Sequence, residues 1–158
     1  SGYFPFGAVM LNERIETVLM ESGPDGAIGP GYTYSGHPVG CAAALATLDV
    51  TFSQDLPGNA LARGEQLMAS LKALQAEHEM IGDVRGKGLM VGIELVADRG
   101  LKTPLDPQLG DALADRVFAA GAMIRVSGNI IIMSPPLVIT ESEINSLAQA
   151  LSVGFAGA

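Results

Sequence analysis

The residues best placed to do chemistry run Gly31-Tyr32-Thr33-Tyr34-Ser35-Gly36-His37-Pro38. They form a hydroxyl-rich, glycine-ended loop that leads straight into a helix opened by Pro38. Proline suits the first turn, because the N–H it lacks would have no partner there. A helix start presents unpaired backbone N–H groups at the positive end of the helix dipole. Such a place favours an anion, typically a phosphate, and the hydroxyls of Thr33 and Ser35 could add donors. An ordinary capped helix start with two surface tyrosines has the same appearance. The residues alone leave both readings open.

Arg125 is the second candidate. A guanidinium offers planar, paired donors to a carboxylate, and the neighbouring Ser127-Gly128-Asn129 turn gives a long side chain freedom. The ordinary use of an arginine on a hairpin is a surface ion pair. Arg85, followed by Gly86 and Gly88, reads as such a structural residue. Other patterns fail. Gly86-Lys87-Gly88 with Gly92 has the wrong spacing for a dinucleotide loop, and a strand follows where a helix is required. His37 and His78 lack metal-ligand spacing, and His37 reads as part of the loop–helix junction. Cys41 lies in a small-residue helix and reads as packed. Glu94 reads as part of a solvated face.

Elements must hold these residues. The apolar run 7–11 predicts a buried strand. Residues 12–20 carry Ile15, Val18 and Leu19 at helical spacing. Residues 23–36 form a Gly- and Pro-rich loop, long enough to be functional or partner-facing. A helix rich in alanine (Ala42, Ala43, Ala44, Ala46) is predicted over 38–54, broken by Pro57 and Gly58. A second is predicted over 60–78, with Leu67, Leu71 and Leu74 on one stripe. Strands are predicted at 81–85 and 89–96, the latter with Leu89, Val91, Ile93 and Leu95 facing one way. A helix over 105–120 carries Leu109, Leu113 and Val117. A hairpin follows at 123–126 and 130–133. Thr140 and Glu143 make a capping box for a last helix bearing Ile144, Leu147, Leu151 and Phe155.

From residue 60 the order is helix, two strands, helix, two strands, helix, which predicts an antiparallel α+β layer pair. Residues 1–40 do not share that core and read as the trailing edge of a different domain, with 41–59 as a linking helix. The 158 residues are 48% hydrophobic and 16% charged, so the chain is globular rather than disordered. With 9 basic against 17 acidic residues, net −8, neither nucleic acid nor an anionic membrane surface is an expected partner. The single cysteine excludes an internal disulfide framework and fits a cytoplasmic location. The aromatic, glycine- and proline-rich start without an initiator Met leads us to expect an internal position of a longer protein.

Four segments carry a resemblance. Gly31 to Pro38, with Gly40-Cys41-Ala42-Ala43-Ala44-Leu45-Ala46, resembles the signature loop and helix of class III, pyridoxal-phosphate-dependent aminotransferases. Ser1-Gly2-Tyr3-Phe4-Pro5-Phe6-Gly7-Ala8-Val9 resembles the stretch just after their Schiff-base lysine. Residues 84–95 resemble the paired strands of their small domain, and residues 124–137 its final hairpin. The order is right, and nearly the whole chain is covered.

The resemblance implies an α/β plus α+β fold: the end of a large cofactor domain at 1–40, the linking helix, and a small C-terminal domain at 60–158. It implies pyridoxal 5'-phosphate as cofactor. Thr33 matches the threonine that binds the cofactor phosphate across a homodimer interface, and Tyr32 matches a residue lining that neighbouring pocket. Glycine and proline positions near 2–8 match backbone that shapes the cofactor cleft. Arg125 matches the mobile arginine that pairs with a substrate carboxylate in the amine–pyruvate, or ω-transaminase, branch and swings away from uncharged amines. The expected reaction moves an amino group between an amine or ω-amino acid and a keto acid such as pyruvate. No segment matches the lysine or carboxylate motifs, so no catalytic residue is expected within the chain. A non-catalytic binding or assembly module and an unrelated α+β domain with an anion site at Thr33 remain as alternatives. An in-frame lysine just before Ser1 would favour the enzyme. We expect the 158-residue chain, given pyridoxal phosphate and then borohydride, to yield no site-specific reduced adduct. Stoichiometric labelling of Lys72, Lys87 or Lys102, read by mass mapping, would contradict this.

Overall fold

The computed structural model describes residues 4–26 and 31–157. Expectations resting on residues 1–3 and on 27–30 of the long loop lie outside the described residues. The chain divides between Gln54 and Asp55 into two units.

In the first unit, helix α1 (Glu13–Glu21) starts where the Asn12 side chain accepts a hydrogen bond from the Ile15 N–H at 3.0 Å. A short 3-10 turn (Gly23–Gly26) follows, and helix α2 (Pro38–Ser53) ends the unit. The strand expected at 7–11 is not formed. That segment is irregular and exposed, with Val9 at 88% and Met10 at 93%. A strand needs a paired edge and a face to bury, and the described residues offer neither to this segment. The apolar residues of α1 are likewise unburied.

In the second unit, helix α3 (Leu56–Glu77) starts earlier than its periodicity implies. The expected break at Pro57-Gly58 lies instead at Gln54-Asp55. Asp55 adopts a left-handed conformation (φ 46°), and its carboxylate accepts from the Gly58 N–H at 3.3 Å. Pro57 therefore sits in the first helical turn, the one place where a helix tolerates it. Strands β1 (Ile81–Lys87) and β2 (Met90–Asp98) form the first hairpin. A two-residue strand β3 (Thr103–Pro104), not expected from the sequence, pairs with the end of β2. Helix α4 (Pro107–Ala119), strands β4 (Arg125–Ser127) and β5 (Ile130–Met133), and helix α5 (Glu141–Ala156) complete the unit. The sheet order is β1-β2-β5-β4, antiparallel throughout.

Alternation sorts the sheet into two faces. Val84, Ile93, Ile131 and Val126 are successive cross-strand partners. They point into a core with Leu67 and Leu71 of α3, Leu113 and Val117 of α4, and Ile144, Leu151 and Phe155 of α5. Leu109, expected on the α4 stripe, is 55% exposed; the buried line runs through Gly110, Leu113 and Val117 instead. The Thr140–Glu143 capping box forms with both reciprocal bonds. Asn59 in the first turn of α3 donates to the carbonyls of Leu137 (2.7 Å) and Ile139 (3.0 Å), which fastens the return from β5 to α5. Arg99 donates to the Gln75 and His78 carbonyls, both at 2.8 Å, and closes the C-terminal end of α3.

Helix α3 meets the β1–β2 turn backbone to backbone. A Cβ on Gly64 would lie inside van der Waals contact of the Gly88 backbone. Gly64→Ala should therefore cost about 1–3 kcal/mol through overpacking, although alanine is the better helix former by about 1 kcal/mol. A drop in the urea midpoint at unchanged m-value is the expected reading.

Candidate functional site

In the first unit, the loop before α2 closes as a turn. The Ser35 N–H donates to the Tyr32 carbonyl (2.9 Å), the His37 N–H donates to the Tyr34 carbonyl (3.1 Å), and Gly36 takes φ 70°. That positive φ suits glycine and turns the chain into the helix. His37 is the N-cap residue, but no side chain of the described residues caps this helix, and its first turn holds no acidic residue. The N–H groups of Val39 and Gly40 thus have no partner from the helix itself. Tyr32, Thr33 and Ser35 are exposed beside them. The Thr33 hydroxyl has no hydrogen-bond partner among the described residues.

What fixes this tip is aromatic packing. The His37 ring lies 5.5 Å from that of Phe4 and 5.9 Å, edge-on, from that of Tyr34. A Cβ on Gly40 would meet the Phe4 ring at 2.7 Å, so the absence of a side chain there lets Phe4 lie on the helix. The Nδ1 atom of His37 is enclosed and unpaired. His37 is thus a packed joint, as expected. Gly40 is buried beneath the Phe4 ring, so the exposed donors at the tip are those of Val39, Thr33 and Ser35; with no acidic residue in the first turn they fit a phosphate group, and Tyr32 belongs to the same turn.

Arg125 belongs to the second unit. It stands on β4 opposite Ile132, on the sheet face turned away from the core, and it is exposed. Among the described residues its side chain makes no ion pair or hydrogen bond. An open, largely apolar cavity of about 560 Å³ adjoins it, lined also by Met123, Ile124, Pro135 and Pro136. Arg85 is on the same face but is engaged: it pairs with Asp83 at 3.0 Å and with Glu94 at 2.8 Å. Glu94, expected on a solvated face, is half-buried and is the closer of these two anchors. The sequence signal for Asp83 is its position two residues from Arg85 on one strand, which places both on the same face. Among the described residues no group of His, Cys, Asp or Glu could hold a metal, and no helix is long and apolar enough to cross a membrane.

The sequence model of the family described as Aminotransferase class-III matches residues 1–154. An uncharacterized aminotransferase, y4uB, of Sinorhizobium fredii is 44% identical over 155 residues, covering 93% of this chain and 32% of the relative. A probable gamma-aminobutyrate transaminase 4 of Oryza sativa subsp. japonica is 35% identical over 150 residues, with 93% and 31% covered. An amine transaminase from an uncultivated Pseudomonas species, solved in its PLP-bound form, superposes with TM-score 0.93 at 44% identity. That match covers 99% of this chain and 36% of the solved one. The chain spans about a third of the length of these relatives.

The Arg85 guanidinium, chiefly by its hydrogen bond, holds the Asp83 carboxyl below the usual carboxylate range. A lowered folded pKa contributes stability above the ordinary carboxylate pKa, and that contribution is lost as pH falls through the folded value. Arg85→Gln should return the Asp83 pKa toward its ordinary value and remove this part of the acid sensitivity. A carbon-13 NMR titration of the aspartate carboxyls measures the change.

Proposed function

Because the chain belongs to the class-III aminotransferase family, we propose that the whole protein transfers an amino group between an amine or ω-amino acid and a keto acid such as pyruvate, with pyridoxal 5'-phosphate as cofactor. The observation that carries the reading is the start of α2: a helix with no side-chain cap among the described residues, beside the exposed hydroxyl of Thr33, its tip packed by the rings of Phe4 and His37. Unpaired N–H groups, a dipole end and a hydroxyl together are a cradle for a phosphate dianion. Thr33 and Tyr32 bind the cofactor in this reading. When bound, pyridoxal phosphate supplies the carbonyl that takes up nitrogen and the ring that disperses negative charge.

Arg125 binds the keto-acid carboxylate. Among the described residues it has no ion-pair partner, and it is exposed, so engaging a substrate requires none of their ion pairs to be broken first. Arg85 has two carboxylates already and is unsuited to that task. No residue of this chain is assigned a catalytic role. The amine side of the reaction is supported by the amine transaminase neighbour, and the ω-amino acid by the gamma-aminobutyrate relative.

A homodimer, in which Thr33 serves the neighbouring subunit's cofactor, is part of the proposal. Helix α2 is apolar all round, yet Leu45 and Phe52 are 68% and 72% exposed. A helix of that composition is stable when covered.

The test uses the full-length enzyme. Thr33→Ala should weaken pyridoxal phosphate binding by roughly 10- to 100-fold, the equivalent of about 1.5–3 kcal/mol for one hydrogen bond to a charged group. Arg125→Gln should lower kcat/KM for pyruvate by a similar factor. Unaltered cofactor affinity in the first variant, or an unaltered pyruvate KM in the second, would remove that residue from the site.

A further inference from the structure

The register places Arg85, Gly92, Ile132 and Arg125 as successive partners across the four main strands, one row on the face away from the core. Gly92 lies mid-strand in β2, where glycine weakens a sheet and often marks a close approach from outside. Nothing within the sheet requires a glycine there. Its φ lies outside the left-handed region, and a Cβ would find its nearest neighbours at 3.8, 3.9 and 4.0 Å, ordinary contact distances. Gly64 and Gly86 contrast with it, since a Cβ on either would collide with backbone. The missing side chain therefore leaves a gap in the row between the two arginines.

The charges on this face are uneven. Asp83 and Glu94 both pair with Arg85, and Asp83 also lies within the field of Lys72, which leaves Glu94 with Arg85 as its one ion-pair partner among the described residues. Lys87 faces the same way but sits one step further out, paired with Met90 on the far side of Arg85 from Asp83. Gly92 is two strands from Arg125, about 10 Å between Cα atoms, and an extended arginine side chain covers most of that span. The only side chain between them in the row is Ile132, whose apolar surface can carry the arginine stem.

We propose that Gly92 is a specificity-determining residue: it leaves a furrow across Ile132 in which the Arg125 guanidinium lies, drawn toward Glu94, when the bound substrate has no carboxylate. The proposal rests on the reading of Arg125 given above. A side chain at position 92 closes the furrow and keeps the arginine forward, where it favours carboxylates and obstructs uncharged groups.

Alanine and isopropylamine make a matched pair of amino donors, since the second has a methyl group where the first has its carboxylate. In the full-length enzyme, Gly92→Val should lower the ratio of kcat/KM for isopropylamine to that for alanine about tenfold, and Gly92→Ala about threefold. Thermal unfolding confirms that each variant is folded. If Gly92→Val does not fold, Gly92→Ala decides. An unchanged ratio in a folded variant, a parallel loss with both donors, or a wild-type enzyme inert toward isopropylamine overturns the proposal. Arg125→Gln is the separate control: if it leaves kcat/KM for alanine intact, the reading of Arg125 itself has failed.

Discussion

Burial of one face of the antiparallel sheet is the constraint on which the second unit depends. Val84, Ile93, Ile131 and Val126 must lie against the helices, because together with Leu67, Leu71, Leu113 and Phe155 they make the core. Side chains alternate along a strand, so a shift of one residue would reverse both faces. Pointing that row inward leaves no freedom in what points outward: Arg85, Gly92, Ile132 and Arg125 on one line, Asp83 and Glu94 beside them. Arg125, the arginine proposed to meet a substrate carboxylate, is thus held out of the core by the same hydrophobic burial that holds the fold together.

The supports around that sheet are polar and local. Asn59 ties two carbonyls of the segment after β5, Arg99 ties two at the end of α3, and the Thr140–Glu143 box opens α5. In the capping box, the Thr140 backbone N–H holds the Glu143 carboxyl below its usual range. Each satisfies backbone groups at a helix end or a loop, where the regular ladders stop. Glycine packing sets how closely the layers approach: at Gly64 against Gly88, and at Gly154 against Val117. The first unit follows a different rule. A single helix tip is held by three rings, and the helix behind it half-buries Ala44, Thr47 and Thr51 while it exposes Leu45, Leu48 and Phe52.

Much of this was legible in advance, for reasons that differ by element. The alternation of Leu89, Val91, Ile93 and Leu95 read correctly because a strand with one buried face writes its period into the sequence. The Thr140–Glu143 box and the Pro38 helix start read correctly because they are local, within four residues. Leu109 misled because i, i+4 spacing drifts round a helix by a further 40° or so at each step; after two steps the stripe had left the core, and Gly110, a residue with no hydrophobicity to announce it, took the place. The break at Asp55 was hidden for a similar reason. Pro57 signals a helix boundary without saying on which side the helix lies.

The sequence by itself determined the family, the order of the helices and hairpins from α3 onward, the hydroxyl-rich loop at residues 31–38 and the candidate standing of Tyr32, Thr33 and Arg125, since each of these is a matter of residue type and short spacing. Only the tertiary structure decided that the run at 7–11 forms no strand, that Arg85 is engaged by Asp83 and Glu94 while Arg125 has no partner among the described residues, and that Gly92 lies between them with room for a Cβ it lacks. The physical reason is that cross-strand register and ion pairing join residues from separate segments of the chain. Local composition carries no record of which strand will lie beside which until the core has been assembled.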